Sequence, residues 1–160
     1  MLQPPVRGFN RSALSRLRQE AQLTIPELGI RAGIAPSGLS RWESGAASPT
    51  PECLRRVADA LGLSTADFVD TPPDERTLAD LRSLAGFSQR SLCKHLGIPF
   101  KTLARIENGQ IDLDPERAQV MARTFSVTIP ELVAAYKRGA IQMLRQRIVE
   151  LESIPVAATA

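Results

Sequence analysis

Basic side chains at a repeated spacing are the residues of this sequence best suited to chemistry. Arg41 and Arg105 lie 64 positions apart, and Lys101 precedes Arg105 by four residues. Arginine and lysine donate hydrogen bonds to phosphate oxygens and to O6 and N7 of guanine. A net charge of +3, from 20 basic and 17 acidic residues, suits a polyanionic partner without requiring one.

Groups for catalysis or metal binding are scarce. The sequence has one histidine, His95, and two cysteines, Cys53 and Cys93, which are far apart and belong to no C-x-x-C pair. The spacing of Cys93 and His95 on a predicted helix matches neither a zinc site nor a nucleophile with its base. We therefore expect no enzyme activity, no metal and no cofactor. His95 is expected in a surface or packing role, and the cysteines are expected to pack as small core residues.

The chain contains an internal repeat. Residues 14–68 align with residues 78–132 at an offset of 64 without a gap, and about a quarter of the positions are identical. The identical pairs include apolar, glycine and charged positions: Leu14/Leu78, Arg18/Arg82, Gly33/Gly97, Leu39/Leu103, Arg41/Arg105, Glu43/Glu107 and Gly45/Gly109. The sequence therefore predicts two tandem copies of one domain.

Helix signals recur within each copy. The predicted amino-terminal caps of four helices are Asn10 and Asp74, Thr24 and Ser88, Thr50 and Asp114, and Ser64 and Thr128. A further short helix carries Leu39 and Trp42, or Leu103 and Ile106, inward. No segment alternates with the period of a strand, so the prediction is an all-α protein with five helices in each copy.

These signals divide the chain into five parts. We predict a flexible arm over residues 1–8, a first domain over 9–69, a linker over 70–76, a second domain over 77–136, and a C-terminal helix with a disordered tail over 137–160. Arg7 in the arm has two interpretations, which are entry into a minor groove and, more commonly, a disordered terminus.

Two segments resemble a known family. LTIPELGIRAGIAPSGLSRWESG and FSQRSLCKHLGIPFKTLARIENG are similar to the helix-turn-helix core of the lambda-repressor, Cro and XRE family of DNA-binding proteins. The resemblance covers both copies nearly end to end, and it implies two lambda-repressor-like domains. It also implies that the third helix of each copy, near 36–42 and 100–106, enters the major groove.

The outward positions of these two helices are the candidate DNA contacts. Because the leucines face inward, the outward positions are Pro36, Ser37, Ser40, Arg41, Phe100, Lys101, Ala104 and Arg105. Phe100 has two interpretations, packing on a thymine methyl group or, more often for such a residue, packing against its own domain. Gln89 matches a glutamine with which the resembled family contacts DNA, whereas Ile25 departs from it.

The two copies are expected to differ in readout. The first lacks the glutamine, contains Gly38 in its recognition helix and presents short side chains there. We therefore expect the second domain to carry more of the direct base readout. The first domain then supplies backbone or shape contacts through Arg11, Ser37 and Arg41, or contacts a protein. A homodimer through one of the two helix-turn-helix units is the form of protein contact that the sequence also allows.

The resemblance also implies two structural ion pairs. Arg18 with Glu43, and Arg82 with Glu107, match a family pair that ties the first helix to the end of the third. The alternative is direct phosphate contact by each arginine.

The C-terminal helix carries a possible oligomer seam. Ile141, Leu144, Ile148 and Leu151 follow a three-four-three spacing. The stripe is short for a coiled coil, and two alternatives remain open: docking on the second domain, or a dimer seam.

These observations favour a transcription regulator that binds double-stranded DNA, and the family resemblance implies a repressor that occupies an operator. Two alternatives are an antitoxin or adaptor that contacts a protein, and a DNA-organising or plasmid-maintenance protein. No segment reads as a signal peptide or membrane span, so we expect a cytoplasmic protein that is nucleoid-associated when bound to DNA.

Overall fold

A computed structural model describes residues 5–155, and over these residues the all-α prediction is confirmed. The first domain contains α1 (Arg11–Glu20), α2 (Ile25–Ala32), α3 (Pro36–Ser44) and α4 (Pro51–Leu61), followed by a 3₁₀ helix (Thr65–Phe68). A second 3₁₀ helix (Pro73–Glu75) lies in the linker. The second domain contains α5 (Leu78–Leu84), α6 (Gln89–Leu96), α7 (Phe100–Glu107), α8 (Pro115–Phe125) and α9 (Ile129–Glu152).

Local caps start most of these helices where the sequence predicts. Asn10 accepts from the amide of Ala13 at 2.9 Å, and Thr24, Thr50, Asp114 and Thr128 cap their helices in the same way. The prediction for Asp74 is wrong, since this residue lies in the linker 3₁₀ helix and Thr77 caps α5. Thr77 forms a reciprocal capping box with Asp80, which satisfies two amides that Asp74 is too early in the chain to reach.

The two copies differ in their fifth helix. In the first domain it is only the four-residue 3₁₀ helix, because Val69 turns to extended backbone and forms a β-bridge with Phe9. In the second domain no such stop occurs, and α9 continues for 24 residues. The predicted boundary between residues 136 and 137 therefore lies inside one continuous helix.

Each domain has its own apolar core, and the repeat holds in three dimensions. Leu14, Leu28, Leu39, Val57 and Phe68 are fully buried in the first core. The residues 64 positions later are fully buried in the second core, namely Leu78, Leu92, Leu103, Met121 and Leu132. Burying one such side chain contributes roughly 1.5–3 kcal/mol, so these positions are what holds each helical unit together.

The described part of the predicted arm is packed rather than flexible. Val6 is buried in the first core, and the guanidinium of Arg7 forms a two-pronged ion pair with Asp80 of the second domain. The carbonyl of Gly8 accepts from the amide of Asp70 at 2.9 Å. The flexible-arm prediction is therefore wrong for residues 5–8, while residues 1–4, and 156–160 of the predicted tail, lie outside the described residues.

The two domains are packed against each other. α4 packs against α5 and contacts the turn before α6, and the first 3₁₀ helix contacts the end of α5. Arg55 donates to the carbonyl of Ala85 at 3.1 Å, and the hydroxyl of Thr65 donates to the carbonyl of Leu84. The short linker thus joins two units with a defined mutual orientation.

Small residues let the first half of α9 pack closely on the other helices of the second domain. Leu132 and Ala135 are fully buried, and at Gly139 an added Cβ would lie 3.0 Å from the carbonyl oxygen of Glu107. The hydroxyl of Tyr136 donates to the carbonyl of Ile111 at 3.0 Å. Over residues 5–155, no helix is long and apolar enough to cross a bilayer.

Candidate nucleic-acid interface

The third helix of each copy presents a polar face to solvent. In α3, Leu39 and Trp42 are buried, while Pro36, Ser37, Ser40 and Arg41 are exposed. In α7, Leu103 and Ile106 are buried, and Lys101 and Arg105 are exposed. Ala104 is only half-buried, which departs from the outward position expected for it.

Phe100 stands at the start of α7 and is 57% exposed. Packing against its own domain, the more common interpretation of its sequence position, therefore does not describe the structure. An aromatic ring at the exposed amino end of a recognition helix leaves apolar surface that a partner can cover.

Left-handed glycines set the turn between the second and third helices. Gly33 has φ of +64° and Gly97 has φ of +66°. The residues that follow, Ile34 and Ile98, donate their amides back to the carbonyls of Gly29 and Cys93 at 2.9 and 3.1 Å. These closed turns hold α3 against α2 and α7 against α6, so each exposed recognition face has a fixed direction.

Both ion pairs are present in the structure. In the first domain, Nε and Nη2 of Arg18 donate to the two carboxylate oxygens of Glu43 at 2.6 and 2.9 Å, and Nη1 donates to the carbonyl of Leu23. The hydrogen bond to Glu43 raises the pKa of Arg18 above its ordinary value. In the second domain, Nε of Arg82 donates to Glu107 at 2.6 Å, and Nη1 donates to the carbonyl of Phe87. These arginines tie helices together, so their main donors face protein acceptors rather than solvent.

Gln89 takes part in the second ion pair. Its Nε2 donates to Oε2 of Glu107 at 2.8 Å, and the residue is half-buried. In the first domain the corresponding Ile25 has no such donor, and Arg18 takes both oxygens of Glu43 instead. Gln89, for which the family resemblance implies a DNA contact, thus uses its amide nitrogen to support the helix pair in this structure.

The amino ends of α2 and α6 each carry a carboxylate. Glu27 closes a capping box with Thr24 in α2, and hydrogen bonds from the backbone and side chain of Thr24 lower the pKa of Glu27. At α6 the carboxylate belongs to Glu52 of α4, whose Oε1 accepts from the amide of Ser88 at 2.9 Å. Sequence reasoning missed this contact because the two residues are 36 positions apart and no local pattern pairs them.

Arg11 is tied to the recognition helix. Its Nη1 donates to the carbonyl of Ser44 at 2.6 Å, and its side chain lies against Gly45, which has φ of +81°. Arg11 is exposed, and its guanidinium lies at the carboxyl end of α3.

The histidine and the two cysteines take part in packing at the edges of the cores or lie at the surface. His95 is exposed, with its ring centroid 5.3 Å from that of Phe87. Cys53 and Cys93 are free thiols that pack at the edges of the two cores without full burial. Burial raises the pKa of Cys93, and nearby Glu107 adds to the rise. Within residues 5–155, no group of three or more His, Cys, Asp or Glu side chains could hold a metal ion.

The end of α9 projects from the second domain. Every residue from 141 to 155 is exposed, including Ile141 (48%), Leu144 (65%), Ile148 (53%) and Leu151 (50%). Docking of this stripe on the second domain, one of the two alternatives from the sequence, is therefore wrong, and the four side chains form an uncovered apolar line.

Comparisons with known proteins match both copies. A family described as Helix-turn-helix domain matches residues 12–69, and a family described as Helix-turn-helix matches residues 78–132. A protein of Sinorhizobium fredii (strain NBRC 101917 / NGR234), named Uncharacterized HTH-type transcriptional regulator y4dJ, is 42% identical over 64 residues, which cover 40% of this chain and 82% of that protein. No solved structure matches the chain.

Proposed function

The chain belongs to the XRE-type helix-turn-helix family, with two such domains in tandem, and from this we propose that it is a sequence-specific transcription regulator that represses by occupying an operator. The observation that carries the proposal is the pair of exposed recognition faces on α3 and α7, each held by a closed helix-turn-helix. A regulator name on the Sinorhizobium fredii relative supports the same role. Repression is the common outcome in the resembled family.

Base readout is assigned to the exposed side chains of the two helices. Lys101 and Arg105 of α7, and Arg41 of α3, donate to guanine or to phosphates, while Phe100 packs on a thymine methyl group. Pro36, Ser37 and Ser40 of α3 present short side chains suited to close approach of the backbone to DNA. Ala104 of α7 is half-buried, beside Arg105 in the sequence, and contributes less surface. Gln89 contributes only if its amide leaves Glu107 or contacts DNA through its oxygen.

The second domain carries more of the direct readout in this proposal. Its recognition face offers Lys101, Arg105 and the ring of Phe100, whereas the first offers Arg41 among short side chains. The first domain then contributes backbone contacts through Arg11, Ser37 and Arg41. Bound to its operator, the protein is associated with the nucleoid of a bacterial cytoplasm.

A second copy of the chain is the partner proposed for the end of α9. Ile141, Leu144, Ile148 and Leu151 occupy alternating core positions of two heptads, and all four are exposed. Arg147 and Glu152 flank this stripe at the positions that face each other across a parallel dimer, so their charges are complementary. The same exposed stripe favours a second candidate function, an antitoxin or adaptor whose α9 contacts another protein.

Selection of bound fragments from a random DNA pool at physiological salt tests the proposal, with the mass of each complex measured alongside. Enrichment of a defined sequence supports operator binding. The affinity for that sequence should exceed the affinity for unrelated DNA by roughly 10³- to 10⁷-fold. If one chain binds two spaced sequence elements, each element is assigned to one domain. If each chain binds a single element, the other domain or α9 is assigned to contact between chains. If the selection enriches no sequence, the DNA-binding proposal is overturned, and the protein-contact function remains.

A further inference from the structure

The cap of α6 is incomplete within its own domain. In α2, α5 and α9, a threonine at the cap pairs with an acidic residue three positions later, which accepts the hydrogen bond of the cap amide. In α6 the cap is Ser88 and the residue three positions later is Ser91, which has no carboxylate. The amide of Ser88 therefore needs an acceptor from elsewhere.

The first domain supplies that acceptor. Oε1 of Glu52, in the first turn of α4, accepts from the amide of Ser88 and from the hydroxyl of Ser91, both at 2.9 Å. The other oxygen, Oε2, is buried and has no hydrogen-bond partner among the described residues. A carboxylate from one domain thus completes the capping box of a helix in the other.

This contact closes the cap amide of α6, that of Ser88, to other ligands. Ser88 is only 4% exposed, because α4 covers it. Around it, the stem of Arg55 packs so closely on Gly86 that an added Cβ would overlap with it, and Thr65 donates to the carbonyl of Leu84. An anion from outside reaches the Ser88 amide only if α4 moves away.

The amino end of a helix attracts anions because its free amides and its dipole are positive. Helix-turn-helix proteins use such helix ends to hold DNA phosphates. The charge at α6 is already neutralised from within the chain. Burial on its own would raise the pKa of Glu52, but the hydrogen bonds from Ser88 and Ser91 outweigh burial and lower it, so the side chain is charged at neutral pH.

We propose that Glu52 takes the place of a DNA phosphate at the amino end of α6, so that the packed arrangement of the two domains and phosphate contact at this helix exclude each other. The inference rests on the proposed function and adds regulation to it: the second domain binds DNA through α6 only after α4 has moved away. The free energy needed to separate the domains reduces the free energy of DNA binding, so the apparent affinity for DNA is lower than that of the separated form.

Alanine substitution at Glu52 tests this, with Glu116→Ala as the matched control. Glu116 occupies the same position in the first turn of α8, 64 residues later, and is exposed. DNA selected by the native chain is titrated with each variant at several salt concentrations. We expect Glu52→Ala to bind roughly 5- to 10-fold more tightly, since one charged hydrogen-bonded contact no longer opposes binding. The slope of log K against log salt should steepen by about 0.9, the value of one added phosphate contact.

Several outcomes overturn the proposal. Equal tightening by Glu52→Ala and Glu116→Ala means that only the loss of a negative charge matters. Weaker binding by a folded Glu52→Ala, as judged by circular dichroism, means that the packed arrangement is itself the DNA-binding form. If Glu52→Ala does not fold, Glu52→Gln replaces it with Glu116→Gln as its control, because glutamine keeps an oxygen acceptor and removes the charge, and a smaller tightening than that predicted for Glu52→Ala is expected for Glu52→Gln alone. Failure of the native chain to select any DNA refutes the proposed function instead, and does so before the variants are compared.

Discussion

Removal of Glu107 is expected to destabilise the second domain strongly. The side chains of Arg82 and Glu107 are 6% and 5% exposed, so the loss of the carboxylate leaves a buried guanidinium without its ion-pair partner. Gln89 loses its acceptor at the same time. Breaking one side of a buried pair costs about 3–5 kcal/mol, and we expect Glu107→Ala to lower the free energy of unfolding by that amount.

The repeat provides a matched control for this prediction. In the first domain, Arg18 and Glu43 are 11% and 12% exposed, so water reaches the unpaired arginine more easily. Glu43→Ala should therefore cost less, about 2–3 kcal/mol.

Urea unfolding with two probes measures both effects. Trp42 is the single tryptophan and lies in the first core, so its fluorescence follows the first domain, while circular dichroism follows both domains. We expect Glu43→Ala to shift the fluorescence transition, and Glu107→Ala to shift mainly the part of the dichroism transition that has no fluorescence counterpart. The double variant Arg82→Met/Glu107→Leu should recover most of the loss, because an apolar pair has no buried charge.

The reasoning is refuted if Glu107→Ala costs less than about 1 kcal/mol, the range of exposed pairs. It is also refuted if the double variant is no more stable than Glu107→Ala. Either result would mean that the pair is solvated despite its position between α5 and α7.

Three further predictions concern binding, assembly and pH. Lys101→Ala and Arg105→Ala should each relax specificity at one or two operator positions by about 1–3 kcal/mol, and Arg41→Ala should have a smaller effect, as measured by titration against single-base variants of the selected DNA. Equal losses of affinity on all sequences would contradict the proposal that the second domain carries more of the base readout. Leu144→Asp should abolish self-association in analytical ultracentrifugation without lowering the melting temperature. Val149→Asp, at a position 64% exposed on another face of α9, should leave self-association unchanged. Equal effects of both variants on self-association would contradict a dimer contact through Ile141, Leu144, Ile148 and Leu151. The pKa of Glu52 is lowered in the folded chain, so its contribution to stability is present above the ordinary glutamate pKa of 4.5 and is lost as the pH falls through the lower folded value. Urea unfolding across this acid range should therefore show a smaller loss of stability in Glu52→Ala than in the native chain. Parallel curves of unfolding free energy against pH for the two proteins would contradict the assignment.

Much of the fold follows from local patterns. The caps at Asn10, Thr24 and Thr128 act on amides three residues away, and the inward faces follow from the period of 3.6 residues. The repeat adds a second reading of each signal, since a position such as Leu39 is confirmed by its counterpart Leu103 in the other core. These patterns place the third helix of each copy, which is enough to identify its outward basic residues.

The misplaced features depend on contacts made after the helices pack. Nothing near Thr128 distinguishes a short fifth helix from the 24 residues of α9, since its length depends on the absence of a stop such as the bridge between Val69 and Phe9. The position of the arm at the start of the chain predicts flexibility, yet Arg7 forms an ion pair with Asp80, 73 residues away.

The side chains at the candidate DNA-binding surface show the same division. Helical periodicity identifies Lys101 and Arg105 as exposed, because exposure depends on which face of one helix meets the core. It cannot show that Gln89 donates to Glu107 or that Glu52 caps α6, because those partners belong to other helices. Hydrogen bonds within one turn of helix are determined by neighbouring residues, whereas a bond between helices or domains exists only once packing has brought its two ends within about 3 Å.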